Sequence, residues 1–382
     1  MSIKTTHRGA VLRFTLSFAS TFVVSVLASV LAVVLGVVLA VALASVPVLL
    51  CSSCEHQPQD PLPPQCIVDG YCDYENGENM INCYVDCDSI CTLTSMSGTV
   101  HEFLISELYL PDSSTTAHEN GVDMNGDGYL DNQLGSILAM FASQFPDLDA
   151  NAFVNAEIQE GRLLLVVRLL VDQFENDNAI LVQLLRAVVA HDATPLFDGN
   201  DQVALAPDSP HDLFLCGRLK NGILEAGPGN LSLAVPLLGP GLGPLDLLFM
   251  RTQVIGPAGP HGLKNVMVGG GLTRDEIETR FYPWLLEWMQ TELTTDATGP
   301  LAAAILDAYD GQCHPSTAPT CDPTPLGCAS DGEIHPDELS CNPTLSAFFA
   351  PSLDIDFDRV KDLVPIGVKI VSAVPVTVVE SP

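Results

Sequence analysis

The chain has 382 residues, is 47% hydrophobic and carries a formal net charge of −32 at pH 7. Its length and apolar content suffice for two or three compact units with a core. So acidic a chain repels phosphate backbones and anionic lipid, which argues against nucleic-acid binding and suits a divalent cation as partner.

The first fifty residues hold Lys4, Arg8 and Arg13 and no acid, so the rest keeps 12 of the 15 basic residues against all 47 acidic ones, a balance of −35. Acidity of this kind also maintains solubility, so charge alone does not place an ion. The basic start leads into an uncharged run from Phe14 to Leu50. That run exceeds the about 7–15 apolar residues of a signal-peptide core and is long enough to span a bilayer as a helix. Ala42-Leu43-Ala44 offers a cleavage site before Ser45. Cys51 and Cys54 offer lipoprotein-type attachment, Cys54 the better of the two because Ser53 precedes it where Cys51 follows bulky Leu50. Residues 1–50 are expected to be a signal peptide or an N-terminal membrane anchor, with the rest of the chain exported.

Residues 51–65 are Pro-rich and read as an extended linker, and residues 66–95 as a small Cys-rich module. The 12 cysteines fall into three groups: Cys51, Cys54, Cys66, Cys72, Cys83, Cys87 and Cys91; then Cys216; then Cys313, Cys321, Cys328 and Cys341. In an oxidising compartment they read as disulfides, because zinc prefers paired C-x-x-C spacings and only Cys51/Cys54 has one. The last four can pair in three ways. The first group is odd, so one member is free, lipidated or bonded to Cys216. Cys66 to Cys87 resembles a module of exported myxobacterial proteins written roughly C-x-D-G-x-C-x-x-x-E-x-x-x-N-C-x-x-D-C. A segment so short and polar needs crosslinks in place of a core. Its acids Asp69, Asp73, Glu78 and Asp86 either stay solvated or hold an ion.

Residues 96–382 are expected to form a β-rich domain. Thr99 to Leu110 alternates as a strand that Pro111 ends, and Ser113 to Gly121 is polar and turn-rich. Then comes Asp123-Met124-Asn125-Gly126-Asp127-Gly128-Tyr129-Leu130-Asp131, or D-x-N-x-D-G-x-x-D, the first nine positions of a twelve-residue calcium loop. In such a loop positions 1, 3 and 5 offer side-chain oxygens, position 6 is Gly where the backbone turns, position 7 gives its carbonyl and position 9 contributes directly or through water. Those roles fall on Asp123, Asn125, Asp127, Gly128, Tyr129 and Asp131, with Ca2+ as the implied ion. Position 12, usually a bidentate Glu, is Leu134; Asp147, Asp149 or water is the expected replacement. The plainer reading is that Asp127, Asp131 and Asn132 make turns and cap a helix. Two Gly and four oxygen side chains in register favour the ion.

Leu134, Ile137, Leu138 and Phe141 put a helix over Asn132 to Phe141, so the loop is isolated rather than set between the two helices of an EF-hand. A second helix is predicted from Ala150 to Gln159, stopped by Gly161. Short strands follow at Gly161 to Leu170, Ile180 to Val189 (alternatively helix), Val203 to Ala206, Leu213 to Lys220, Ile223 to Ala226, Leu231 to Leu238, Leu245 to Val254 and Leu263 to Val268. Gly/Pro/Asn turns separate them, notably Asn221-Gly222, Gly227-Pro228-Gly229 and Gly239-Pro240-Gly241. Regularly punctuated strands predict an α+β chain dominated by an antiparallel β-sandwich or open barrel with a few helices. Thr273-Arg274-Asp275-Glu276 is a capping box for a helix to about Leu293, kinked or delayed by Pro283. Trp284 and Trp288 on its face are core candidates or a sugar platform. Leu301 to Tyr309 is a further helix, and Val364 to Val379 a closing strand.

Two partial loops lie near the C-terminus. Asp331-Gly332-Glu333-Ile334-His335-Pro336-Asp337-Glu338 matches positions 5 to 12, with Gly327 and Ala329 failing at 1 and 3. Asp354, Asp356, Asp358 and Asp362 repeat the 1, 3, 5, 9 spacing with Arg359 where Gly belongs. Each is a weaker metal candidate, a remnant or part of a shared site.

The order of strand, D-x-N-x-D-G-x-x-D-N-x-L-G over Asp123 to Gly135, helices, Gly-rich strands and a terminal D-G-x-I-x-x-x-E resembles exported, uncharacterised proteins of myxobacteria whose calcium loop is dockerin-like. The resemblance implies calcium binding and a cell-envelope location; it adds no catalytic residue. The chain has no G-x-S-x-G, H-E-x-x-H, Walker loop or strand-linked G-x-G-x-x-G. His191-Asp192 and His211-Asp212 are adjacent pairs whose side chains diverge on a strand. The expected function is a calcium-binding surface or interaction protein, in the envelope or secreted, with a secreted hydrolase carrying structural calcium as the alternative, since fold-assembled carboxylates leave no spacing signature.

Overall fold

Ten strands and seven helices are set out in a computed structural model that describes residues 98–146, 149–190, 194–235, 245–314, 321, 328–354 and 360–379. These residues belong to one compact unit, Pro61–Pro382. The expected targeting segment (1–50), linker (51–65) and Cys-rich module (66–95) lie outside the described residues. Among the described residues no helix is long and apolar enough to cross a membrane.

The strands are β1 Thr99–Tyr109, β2 Leu164–Val171, β3 Asn176–Val189, β4 Gln202–Leu205, β5 Leu215–Lys220, β6 Ile223–Val235, β7 Leu245–Gly259, β8 Gly262–Thr273, β9 Leu363–Pro375 and β10 Thr377–Val379. Antiparallel pairing runs β1-β2-β3-β5-β6-β7-β8-β9 and returns from β9 to β1. The expected sandwich or open barrel is therefore corrected to a closed eight-stranded barrel. Closure depends on two pairings that periodicity does not encode. β9 comes from the far end of the chain to lie between β8 and β1. β3 is long enough to pair with β5 over its first half and with β4 over its second. β10 then runs parallel to β4, extending the sheet beyond the ring.

Alternation puts one face of each strand into the lumen. Phe103, Leu165, Val182, Leu219, Phe249, Val266 and Val368 share one buried cluster there, while Leu104, Val166 and Leu185 form a smaller one on the other face. The helices are α1 Ser114–Glu119, α2 Leu134–Gln144, α3 Ala150–Gln159, α4 over 274–295, α5 Pro300–Tyr309, α6 Pro336–Ser340 and α7 Pro343–Phe348. Ile137 and Phe141 of α2, Phe281 of α4 and Phe349 meet the lumen side chains Leu247, Phe249 and Ile366 around an apolar cavity of about 50 Å³. That is far below the about 300 Å³ of the smallest usual ligand pockets; the lumen is a packed core.

Several local expectations change. Ser113 to Gly121 holds a short helix, because Ser113 and Thr116 form a reciprocal cap. Ile180 to Val189 is strand. Ile223 to Ala226 and Leu231 to Val235 belong to one strand, β6, with Gly227-Pro228-Gly229 making a bulge against β7 instead of a turn, while the rest of the expected strand, 236–238, lies outside the described residues. The Thr273 hydroxyl accepts from the Glu276 N–H at 3.1 Å, opening α4 as expected. Pro283 has no N–H to return to Thr279, and the helix absorbs this as a π-helical segment, Ile277–Phe281, in which the Tyr282 N–H reaches back to the Ile277 carbonyl. Trp288 is core, packed edge-on against Phe145 at 5.6 Å. Cys313 pairs with Cys328 and Cys321 with Cys341. Cys216 is also disulfide-bonded.

On the outer wall Gly269 of β8 lies directly opposite Gly367 of β9. Together they leave a recess in which Val122 and Asn132 sit; a Cβ on Gly269 would stand 2.2 Å from Val122 Cγ2. Gly269→Ala is expected to cost about 1–3 kcal/mol by overpacking. Gly259→Ala, where a Cβ meets nothing within 4 Å, is expected to cost less than about 0.5 kcal/mol. Urea denaturation of both variants beside the parent checks this.

Candidate metal centre

The D-x-N-x-D-G-x-x-D segment lies outside the barrel wall, between α1 and α2. Its base is fixed by an isolated antiparallel bridge between Val122 and Asp131, the Asp131 N–H donating to the Val122 carbonyl at 2.8 Å. Val122 and Met124 are buried beside Leu353 and Leu363, with Met250 and Met267 of the wall packed against them. Gln253 of the wall donates to the Asp123 carbonyl at 3.1 Å and Arg251 to the Met124 carbonyl at 3.4 Å. Alternating apolar residues thus anchor the segment and leave its oxygen-bearing residues facing away from the wall.

Within the loop the backbone is wound around Asp123. Asp123 Oδ1 accepts from the N–H groups of Gly126 (2.7 Å) and Asp127 (3.1 Å), and Oδ2 from Gly128 (2.9 Å). Asp127 Oδ1 accepts from the Tyr129 N–H at 2.8 Å, and the Asn125 amide nitrogen donates to Asp127 Oδ2 at 3.1 Å. Gly126 and Gly128 have φ of 78° and 86°, the left-handed region that glycine enters without a Cβ penalty. Asp131 Oδ2 accepts from the Met124 N–H at 2.9 Å. A carboxylate offers about four lone-pair sites, so each of the three aspartates retains acceptor capacity for a hard cation.

Burial, then the like charges of Asp127 and Asp123, push the Asp131 carboxyl up from 3.8 to about 6; the Met124 N–H and Lys361 act the other way. Clustered carboxylate oxygens of this kind are the donor chemistry calcium accepts. Among the described residues no group of three or more His, Cys, Asp or Glu side chains is placed to hold a metal ion. An ion at this loop would need the Asn125 side chain and the Tyr129 main-chain carbonyl as further donors. Leu134, at position 12, is buried in the core. Asp149, one expected substitute, instead caps α3 by accepting from the Ala152 N–H at 2.9 Å. Asp147, the other, lies outside the described residues.

The weaker candidates separate. Asp354 and Asp362 flank the Leu353–Leu363 bridge beside the loop, while Asp356 and Asp358 lie outside the described residues. The half-loop Asp331–Glu338 has a partner that sequence spacing hides. Asp310, 21 residues upstream of Asp331, accepts from the Asp331 N–H at 3.0 Å through Oδ1 and from the Gly332 N–H at 3.1 Å through Oδ2. This is the bonding that Asp123 gives positions 5 and 6 of the first loop. Asp331 Oδ1 accepts from the Glu333 N–H at 3.0 Å, as Asp127 does from Tyr129. That bond, with help from His335, holds the Asp331 carboxyl below its ordinary range. Glu338, at position 12, is buried and accepts from the N–H groups of Gly311 and His335, and burial raises its carboxyl. Asp310 thus stands to Asp331 and Gly332, across an intervening segment, as Asp123 stands to Asp127 and Gly128. His211 and Asp212 are both exposed, and His191-Asp192 lies outside the described residues.

In metal-free protein Asp131 binds its proton more tightly folded than unfolded, so its contribution to stability is fully present below about pH 4 and is lost as pH rises through about 6. The parent is expected to lose more stability than Asp131→Asn between pH 4.5 and 7 in chelator, and to lose that extra fall when calcium replaces the proton. Thermal melts of both proteins across that range measure the difference. Comparisons with protein-family models, curated proteins and solved structures find no match for the chain.

Proposed function

We propose that the chain is an exported calcium-binding protein of the cell envelope or the extracellular medium. The ion is held by Asp123, Asn125, Asp127, the Tyr129 carbonyl and Asp131, and it ties the loop to the barrel wall in a surface or interaction role. The observation that carries the reading is Asp131. Its carboxyl is half-buried, opposed by two neighbouring carboxylates, and positioned by the same bridge that closes the loop. A divalent cation relieves that repulsion and favours the closed loop. Export is supported by the N-terminal apolar run and by the two C-terminal disulfides, a bond type that persists in oxidising compartments. The barrel's apolar interior cavity gives no support to the hydrolase alternative, which needs two converging carboxylates in a pocket.

Calcium at about a hundredfold excess over its dissociation constant is expected to stabilise the protein by about 2.7 kcal/mol, with magnesium giving less. Asp127→Ala is expected to abolish most of that gain. Melting curves in calcium, magnesium and chelator test this; identical curves for the stripped and loaded parent overturn it. Calorimetric titration counts the sites: Asp310→Asn lowers the stoichiometry if the split loop also binds.

A further inference from the structure

A cleft of about 370 Å³ separates α4 from α6, within the about 300–1,000 Å³ usual for small-ligand sites. One wall is the turn of α4 that follows the π-helical segment, presenting Tyr282, Pro283 and Leu286. The other is α6, presenting Pro336 and Asp337, with Leu339 buried behind them. At the rim Arg274 and Glu278 hold one another, Nε to Oε1 at 2.6 Å, and their charges cancel. Among the described residues no side-chain hydrogen bond or ion pair takes up the Asp337 carboxylate. The neighbouring Glu338 points away into the split loop, bonding Gly311 and His335, and so fixes α6 in the orientation that turns Asp337 to the cleft.

We infer that this cleft receives a lysine or arginine side chain from a partner polypeptide. A cation on an apolar stem matches each wall. The stem lies along Pro283, Pro336 and Leu286, while the charged head meets Asp337. An overall charge of −32 draws a basic partner in and turns an anionic one away. This reading does not depend on the calcium loop. Neutral sugars would be met by the same hydroxyls and apolar rings, but they leave the Asp337 charge uncompensated.

The test uses the full chain in chelator at physiological salt. The probes are a fluorescent glycine-flanked peptide with a single arginine, the same peptide with citrulline in its place, and a neutral oligosaccharide. The arginine peptide is expected to bind about tenfold more tightly than the citrulline peptide. Asp337→Asn, an exposed and isosteric change, is expected to remove that preference. Leu286→Trp, which fills the cleft, is expected to remove binding, with a melting curve confirming the fold. Equal binding of the two peptides, undiminished arginine binding by Asp337→Asn, or binding of the oligosaccharide alone each overturns the proposal.

Discussion

Asn132 joins the loop, α2 and the barrel through one side chain. Its oxygen accepts from the Gly367 N–H at 2.9 Å and the Leu134 N–H at 3.0 Å, while its amide nitrogen donates to the Gly367 carbonyl at 3.1 Å and the Asn120 carbonyl at 3.0 Å. A strand of the barrel wall is thereby bonded to a residue that also begins a helix. The contact requires Gly367, because a Cβ there would stand 2.7 Å from the Asn132 amide nitrogen and 3.0 Å from the Asn120 carbonyl. Since Asp131 is the adjacent residue, the position of one proposed metal ligand is set by the wall rather than by the loop. The same Asn132 bonds hold the start of α2, whose apolar face covers the lumen.

This arrangement explains why an incomplete loop can be worth keeping. In a loop between two helices the twelfth residue reaches back as a ligand. Here that position is Leu134, buried in the core at the start of α2, and it serves packing in place of coordination. The loop loses a bidentate donor and gains a rigid base, because the Val122–Asp131 bridge, Gln253 and Arg251 hold its two ends. Pre-organisation of this kind would lower the ordering cost of the proposed ion binding, offsetting part of what the absent carboxylate would have supplied.

Strand positions and the first loop were legible because each depends on neighbours in sequence. Thr99 to Leu110 alternates, Ala150 to Gln159 is bounded by Asp149 and Gly161, and the glycine pattern of 126 and 128 marks a turn. The barrel's closure was not legible, because it rests on β9 meeting β1 across most of the chain and on β3 reaching past β4 to pair with β5. Gly227-Pro228-Gly229 read as a turn for a related reason: the same residues permit a bulge, and only the partner strand decides between them. Asp310 was hidden for the simplest reason. Motif spacing counts residues, and Asp310 stands 21 positions before Asp331.

That separation shows how the split loop is held together. The segment between Asp310 and Asp331 would have to give up chain entropy for its ends to meet, and the cost grows with its length. The Cys313–Cys328 disulfide, with Cα atoms 5.8 Å apart, closes the segment at its neck. Crosslinking limits the unfolded ensemble and so lowers the entropy lost on folding. With the ends pinned, Asp310 meets Asp331 and Gly332 almost as a residue four or five positions away would. The second disulfide, Cys321–Cys341, ties the same segment to the residue that ends α6, and Glu338 bonds that helix back to Gly311. Two covalent bonds and one buried carboxylate thus do for the split loop what chain continuity does for the first. A chain can thus bring Asp310 and Asp331 together across 20 intervening residues and hold them there by covalent bonds.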